Sequence, residues 1–274
     1  MDERARDWHR IDGGIAHHPL RRRDHHCRPL VVAADGAGSP CRTSAGIETE
    51  TWSYPQAALT ARFDHSRPHQ AISNEWHRRA GPLTTVPLPG KASSLVWVDT
   101  PAETTRLHAL RCSEEFAREL EHRTSGALGH ISKVTARRVF PLSGLTARTL
   151  AQNRTALVGE SGHKGPPIGA QGLNLTLRDA AWLSDLVADA LRDGRDVGAS
   201  DVLHAYDTAR RPDVMSRSVA VDLLNRSLFA GHLAADVGRV LGIGAIAAFP
   251  WLRRSAMTMG IGPTGPQPRL LRAA

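Results

Sequence analysis

The sequence predicts a mixed α/β chain, α+β overall. Three observations carry that expectation. Short apolar runs at Leu30–Ala34 and Thr155–Val158 each run into a glycine-containing turn, as buried strands do. Between them, residues 51–100 hold several strand-like runs separated by turn signals. After the second run, apolar residues recur at helical spacing through about residue 192.

Composition narrows the class. The 274 residues are 41% hydrophobic and 23% charged, as in ordinary globular chains. A wholly disordered chain, a collagen and a coiled coil are excluded. No uninterrupted apolar run reaches about 18 residues, so no membrane-spanning helix is expected. The formal charge is +8, and it is almost all arginine, since only Lys91, Lys133 and Lys164 are lysines. The arginines are scattered, apart from Arg21, Arg22 and Arg23, so no nucleic-acid partner is expected. Cys27, Cys41 and Cys112 fit no metal or redox spacing and make no disulfide framework. The expected setting is a reducing cytoplasm, with no metal and no secretory signal.

Residues 1–28 differ from the rest. They carry His9, His17, His18, His25 and His26 among many arginines, with no apolar period. This composition predicts a disordered leader. A histidine metal site and a mis-assigned or out-of-frame start are the alternatives. Order begins at Pro29. The strand over Leu30–Ala34 meets the turn Asp35-Gly36-Ala37-Gly38-Ser39, and a short helical turn opens at Arg42.

Ala58–Phe63, Leu83–Leu88 and Ser94–Val98 are the next strands, with Pro89-Gly90 turning the chain between the last two. Their spacing predicts an antiparallel sheet. A helix is expected over 102–122, through Leu107, Leu110, Phe116 and Leu120, and a strand over Lys133–Phe140. The clearest helix runs over Leu173–Arg192. Leu177, Ala180, Leu183, Leu186, Val187, Ala190 and Leu191 fall on its apolar face, and Gly194 marks its stop. Two or three helices fill 199–260, with Pro212 and Pro250 as breakers. A loose tail follows from Gly260.

The chemistry concentrates between Leu157 and Ala181. A buried strand ends at Gly159, followed by Glu160. Pro166-Pro167 makes a rigid turn, and Gly169-Ala170-Gln171-Gly172 leads into the long helix. Glycines before a helix let a ligand approach free backbone N–H groups, where the dipole favours negative charge. A carboxylate at the strand end can accept hydrogen bonds from sugar hydroxyls. Together these describe a site for a cofactor with a polyol and an electron-accepting ring. A plain β-loop-α connection has the same spacing.

The run Leu-Val-Gly-Glu-Ser-Gly-His, then Pro-Pro-Ile-Gly-Ala-Gln-Gly-Leu-Asn-Leu and Asp-Ala in the helix, resembles the second FAD motif of the class A flavoprotein monooxygenases. Within that family of aromatic-ring hydroxylases it is similar to the ubiquinone-biosynthesis branch. Asp35-Gly36-Ala37-Gly38-Ser39-Pro40-Cys41-Arg42 resembles the family's Asp-Gly motif. Order and spacing agree from about residue 29 to 260.

The resemblance implies a partial FAD/NAD(P)-binding three-layer domain with an inserted, mainly antiparallel β-sheet substrate domain and C-terminal helices. After the 1–28 leader, 29–48 is then an FAD-domain segment with the Asp-Gly motif. Residues 49–145 are the substrate domain, 146–198 the segment with the second FAD motif, and 199–274 the C-terminal helices and tail. Glu160 takes the place of the motif Asp that holds the ribityl chain. Pro166 and Pro167 line the flavin near its reactive edge. Gly159, Gly169 and Gln171 belong to the cofactor loop, and the backbone of Gly172, Leu173 and Asn174 faces the pyrimidine end. Asp35, Gly36 and Arg42 carry the Asp-Gly motif, and His163 matches the motif His or packs the loop.

The implied cofactors are FAD and NAD(P)H as reductant. The implied reaction is hydroxylation of a ubiquinone precursor or similar phenol through a flavin hydroperoxide. No catalytic acid or base is named by the sequence. The family also begins with a strand, Gly-x-Gly-x-x-Gly and a helix, and that motif does not occur in these residues. The chain is therefore expected to lack the segment that holds the ADP half, and a non-catalytic remnant or accessory protein is the alternative. Val240–Leu252, followed by Arg253 and Arg254, is either a core helix or an interfacial segment at the inner membrane, suited to a polyprenylated substrate.

Overall fold

A computed structural model describes residues 11–12, 15–20, 24–167, 171–229, 244, 248–254 and 266–272. The chain divides into two compact units. One holds Met1–Trp52, Ser143–Leu223 and Val240–Ala274, and the other Ser53–Leu142 and Leu224–Arg239.

The first unit opens with β1 (Ile11–Asp12), β2 (Ile15–Leu20) and β3 (Asp24–Arg28), an antiparallel meander in which Ala16 faces Arg28 and Leu20 faces Asp24. The composition of this stretch predicts a disordered leader. Ladder bonds, however, come from backbone N–H and C=O groups, so a hairpin needs no apolar period. Next come β4 (Val31–Ala33) and α1 (Pro40–Ser44). Ser39 caps α1 by accepting the Arg42 N–H, and Pro40 occupies its first position.

The second unit is built on β5 (Thr49–His65), which begins in the first, and on β6 (Asn74–Trp76), β7 (Leu83–Leu88) and β8 (Ala92–Asp99). They pair antiparallel in the order β5-β8-β7-β6. Leu59, Ala61 and Phe63 alternate inward from β5, with Leu83, Leu95 and Trp97 from its neighbours. Two helices cover them, α2 (Pro101–Ala109) and α3 (Ser113–Arg123), through Leu107, Phe116 and Leu120.

The sequence predicts one helix where these two stand. The break falls at Leu110, whose carbonyl is taken by the Arg137 guanidinium and no longer serves a helix ladder. The strand expected over Lys133–Phe140 begins only at Arg138, in β10 (Arg138–Ala147), while a two-residue strand, β9 (Ile131–Ser132), ends before the expected run. Lys133 lies between them at φ 48°, outside the extended region.

Back in the first unit, β11 (Ala151–Gln152) and β12 (Thr155–Leu157) form a sheet with β4, in the order β11-β12-β4. β12 runs parallel to β4, with Thr155 beside Val31 and Leu157 beside Ala33. β13 (His163–Lys164) pairs with the end of β10. The long helices α4 (Gln171–Arg192) and α5 (Ser200–Phe229) follow. Gly194, at φ 65°, ends the α4 segment with an N–H to the Leu191 carbonyl.

Two expectations about these helices are corrected. Of the expected face, Leu183 and Ala190 are buried and Leu186 and Val187 partly so, but Leu177, Ala180 and Leu191 are exposed, and the face is completed by Leu175, Arg178 and Asp179. Periodicity missed that part of the face because it carries Arg178 and Asp179, which count as solvent-facing by hydropathy alone. Pro212 does not break α5 but lies inside it. Proline removes one ladder bond, yet ion pairs on both sides hold the axis: Arg210 and Arg217 to Asp213, and Arg211 to Asp207. Pro250 stands at the start of the helical residues 250–254.

Much of Val240–Leu252, and all of the tail apart from 266–272, lies outside the described residues. The described part of the expected loose tail docks on α4, where the Arg269 N–H meets Asp185 at 2.6 Å and its guanidinium meets Asp189 at 2.9 Å. Among the described residues, no helix is long and apolar enough to cross a membrane.

Candidate functional site

The site grows from the turn that ends β12. Gly159 has φ 66°, and a Cβ there would lie 2.8 Å from the Thr176 hydroxyl on α4. Only glycine allows both the left-handed backbone and so close an approach to the helix. A short 3₁₀ turn, Gly159–Ser161, follows. Within it Gly159 and Ser161 are buried and Glu160 is exposed.

That turn is held from several sides. Ser161 donates its hydroxyl to the Ala33 carbonyl at 2.6 Å and accepts the Val158 N–H at 3.0 Å. Arg42 is buried and joins two loops, donating to the carbonyls of Ser161 at 2.7 Å and Ala37 at 2.8 Å. Asp179, fully buried on α4, accepts the Gly159 N–H at 2.9 Å and the His163 Nε2 proton at 2.7 Å on one oxygen. Its other oxygen accepts Arg210 Nε at 2.7 Å. Arg210 also reaches Asp213 at 2.8 Å, and Arg217 meets that same residue at 2.8 Å.

Buried charges persist only when paired and hydrogen-bonded, and this cluster meets that condition. Burial would push the Asp213 carboxyl up, but Arg210 and Arg217 hold it down at about 2. Burial works against the Arg210 guanidinium too, and Asp179 with Asp213 raises it above its ordinary value. Tyr206, buried on α5, donates its hydroxyl to the Leu157 carbonyl at 2.7 Å. Burial, followed by the Asp179 charge, pushes its phenol well above the ordinary range.

The Asp-Gly loop is arranged differently. Asp35 is exposed and accepts the Cys41 N–H at 3.2 Å. Partial burial pushes its carboxyl up, but bonds from Ser39 and Cys41 outweigh that and hold it below its usual value. Burial and the adjacent Asp35 raise the Cys41 thiol to about 12, so it carries no thiolate at neutral pH. Gly36 sits at φ 83°, and nothing lies within 4 Å of a Cβ built on Gly36 or Gly38. The loop is therefore open on that side.

At the start of α4, Gly172, Leu173 and Asn174 are exposed, Leu173 by 69%. The first turn of a helix has N–H groups without ladder partners and a positive dipole end. No acidic side chain of α4 neutralises that end. Gln171 is the first residue of α4, Pro166 is buried and Pro167 exposed, and Gly169 lies outside the described residues.

The structure therefore brings together Gly159, Arg42 and His163 around the turn that presents Glu160. Asp35 stays with its own loop and α1. The motif quoted from the sequence contains Ser161 and Asp179 but assigned them no role, and sequence reasoning missed Tyr206, Arg210 and Asp213 as parts of the site. A signal did exist: Tyr206, Arg210, Asp213 and Arg217 follow at helical spacing on the side of α5 that also buries Leu203 and Val214.

The chain is similar to several known proteins. A family model described as FAD binding domain matches residues 20–219. Ubiquinone hydroxylase UbiL of Rhodospirillum rubrum is 39% identical over 247 residues, or 89% of this chain and 57% of that protein. The 3-demethoxyubiquinol 3-hydroxylase of Escherichia coli K12 is 29% identical, over 85% of this chain and 59% of that protein. Among solved structures, OxyS anhydrotetracycline hydroxylase from Streptomyces rimosus has a TM-score of 0.60 at 18% identity, over 86% of this chain and 46% of that one. That likeness is one of fold. The chain spans under three-fifths of the length of the curated relatives it matches.

Proposed function

We propose that this chain, which belongs to the FAD binding domain family, holds the ribityl and ring portions of FAD for hydroxylation of a small aromatic substrate. The substrate class is a ubiquinone precursor or similar phenol, in keeping with the names of the two curated relatives. One observation carries the reading. A tightly clamped turn packed on α4 at Thr176 and Asp179 presents one exposed carboxylate, Glu160, and the exposed first turn of that same helix carries no acidic side chain.

The residues fit the cofactor. Glu160 can accept hydrogen bonds from ribityl hydroxyls. The exposed first turn at Gly172, Leu173 and Asn174 offers N–H donors to an electron-rich ring edge, and the dipole there stabilises negative charge. No side chain at Gly172 obstructs that approach, since a Cβ built there meets nothing within 4 Å. When bound, FAD supplies the oxygen-activating redox chemistry, with NAD(P)H as reductant. The chain's own work is binding, orientation and electrostatic tuning. Asp35 and Arg42 keep the neighbouring loop in place.

Purification tests the reading. A yellow preparation with stoichiometric FAD is expected, and Glu160→Ala should weaken FAD binding about tenfold, the loss of one charge-assisted hydrogen bond. A colourless protein that added FAD neither colours nor stabilises overturns it. The proposal extends to contact with a membrane surface, where a polyprenylated substrate resides. Phe249 and Trp251 are 51% and 64% exposed, next in sequence to Arg253 and Arg254. Sedimentation with anionic vesicles should decrease in Trp251→Ala, and equal sedimentation of the two proteins removes this extension.

A further inference from the structure

We infer that Asp179 is the positioning residue of this site: through Gly159 and His163 it sets the turn that presents Glu160. The inference rests on reading that turn as the flavin-holding element, but the positioning itself can be measured without the cofactor.

The geometry is specific. Asp179 Oδ2 accepts from Gly159, one residue before Glu160, and from His163, three residues after it. Both ends of the segment that carries the exposed carboxylate are thus tied to one buried oxygen. That oxygen has two lone pairs, and both are used. A carboxylate only accepts, so the imidazole must present its proton at Nε2.

Oδ1 is occupied separately by Arg210 Nε. Arg210 cannot follow a moving partner, because it is itself held by Asp213 and by the Leu175 carbonyl at 3.4 Å. Asp179 is therefore fixed on one oxygen by α5 and fixes the turn with the other. It is buried to 0% exposure, so it acts through the turn and not by touching a ligand.

Asparagine is the informative replacement. It offers one acceptor oxygen where the structure uses two. With its oxygen toward Arg210, its amide N–H₂ opposes the Gly159 N–H, and a buried donor is left without a partner. The His163 ring can change tautomer to accommodate this, but the Gly159 amide cannot.

The test is hydrogen–deuterium exchange on the full chain without added FAD, comparing wild type, Asp179→Asn and His163→Gln. Peptides over 158–164 report the turn, and peptides over 180–190 report the body of α4. Asp179→Asn should speed exchange in 158–164 about tenfold or more while 180–190 stays protected, as expected for a local opening. His163→Gln, which keeps a donor, should give a smaller increase in the same segment. Titration with FAD should then show Asp179→Asn binding about tenfold more weakly than wild type, with the unaltered first turn of α4 still engaged.

Unchanged exchange over 158–164 in Asp179→Asn overturns the inference. So does an equal loss of protection over both segments in both variants, because that marks a role in general stability alone. A wild-type chain that binds no FAD defeats the proposed function instead, and the exchange comparison still decides the positioning.

Discussion

The two units keep their interiors in order by different means. In the second, rings and aliphatic chains meet: Phe63, Leu95, Trp97 and Phe116 are fully buried, and the Trp97 and Phe116 centroids lie 6.2 Å apart. Charge is sparse in that interior: Arg78 and Arg123 lie over the Trp97 ring, and Asp99, buried beside it, pairs with Arg78. Around the Glu160 turn of the first unit, charge is the interior. Asp179, Arg210 and Asp213 are all within 3% of full burial. Each region therefore tolerates change in its own way. Apolar packing depends on volume and adapts to near-isosteres. A buried ionic cluster depends on every partner and does not tolerate near-isosteres.

The largest effects come from removing a central member of either region. Phe116→Ala and Arg210→Met should each destabilise by about 3–5 kcal/mol in urea unfolding, the first by leaving a cavity and the second by stranding Asp179 and Asp213. If Arg210→Met is nearly neutral, the two interiors are energetically alike and the contrast fails.

Conservative changes sharpen the contrast. Phe116→Leu should lose less than about 1.5–2 kcal/mol. Arg210→Lys, despite keeping its charge, should lose clearly more, since an ammonium cannot address Asp179 and Asp213 with the guanidinium's geometry. Equal losses in the two variants would remove the distinction. Gly159→Ala comes next, at about 1–3 kcal/mol, because the position needs φ 66° and faces Thr176. Its FAD affinity should fall with its unfolding midpoint.

The smallest effect at neutral pH belongs to proton linkage. The Asp213 pKa is lowered from an ordinary 3.8 to about 2 by folding. A depressed carboxylate contributes stability that is fully present above its unfolded value and lost as pH falls through the folded one. Stability of the first unit should therefore drop between about pH 4 and 2, and Asp213→Asn should flatten that part of the curve. A variant with the wild-type acid profile would show that other groups control it.

Much of the fold was legible in the residues. Alternation gave β7 at Leu83–Leu88 as it stands, and β8 to within two residues at its start. The motif resemblance led to Glu160 and to the start of α4. What escaped shares one cause. Hydropathy assigns Arg178, Asp179, Arg210 and Asp213 to solvent, and all four are buried. A pattern of single residues cannot show that an aspartate on one helix and an arginine on another will neutralise each other. Pro212 was misread for the same reason, because the ion pairs that keep α5 continuous are tertiary. The division of 102–122 into α2 and α3 follows from the contact between Arg137 and the Leu110 carbonyl, 27 residues apart in sequence. No local window contains both.

The Tyr206 hydroxyl has a further use, as an internal optical gauge. The chain has only two tyrosines, Tyr54 and Tyr206. Tyr206 is locked to the Leu157 carbonyl and resists ionisation. In an alkaline titration of the intact protein, its phenolate absorbance should stay silent until the charged interior of the first unit gives way. The near-ultraviolet signal would then show, without label or probe, when the part of the molecule that presents Glu160 comes apart.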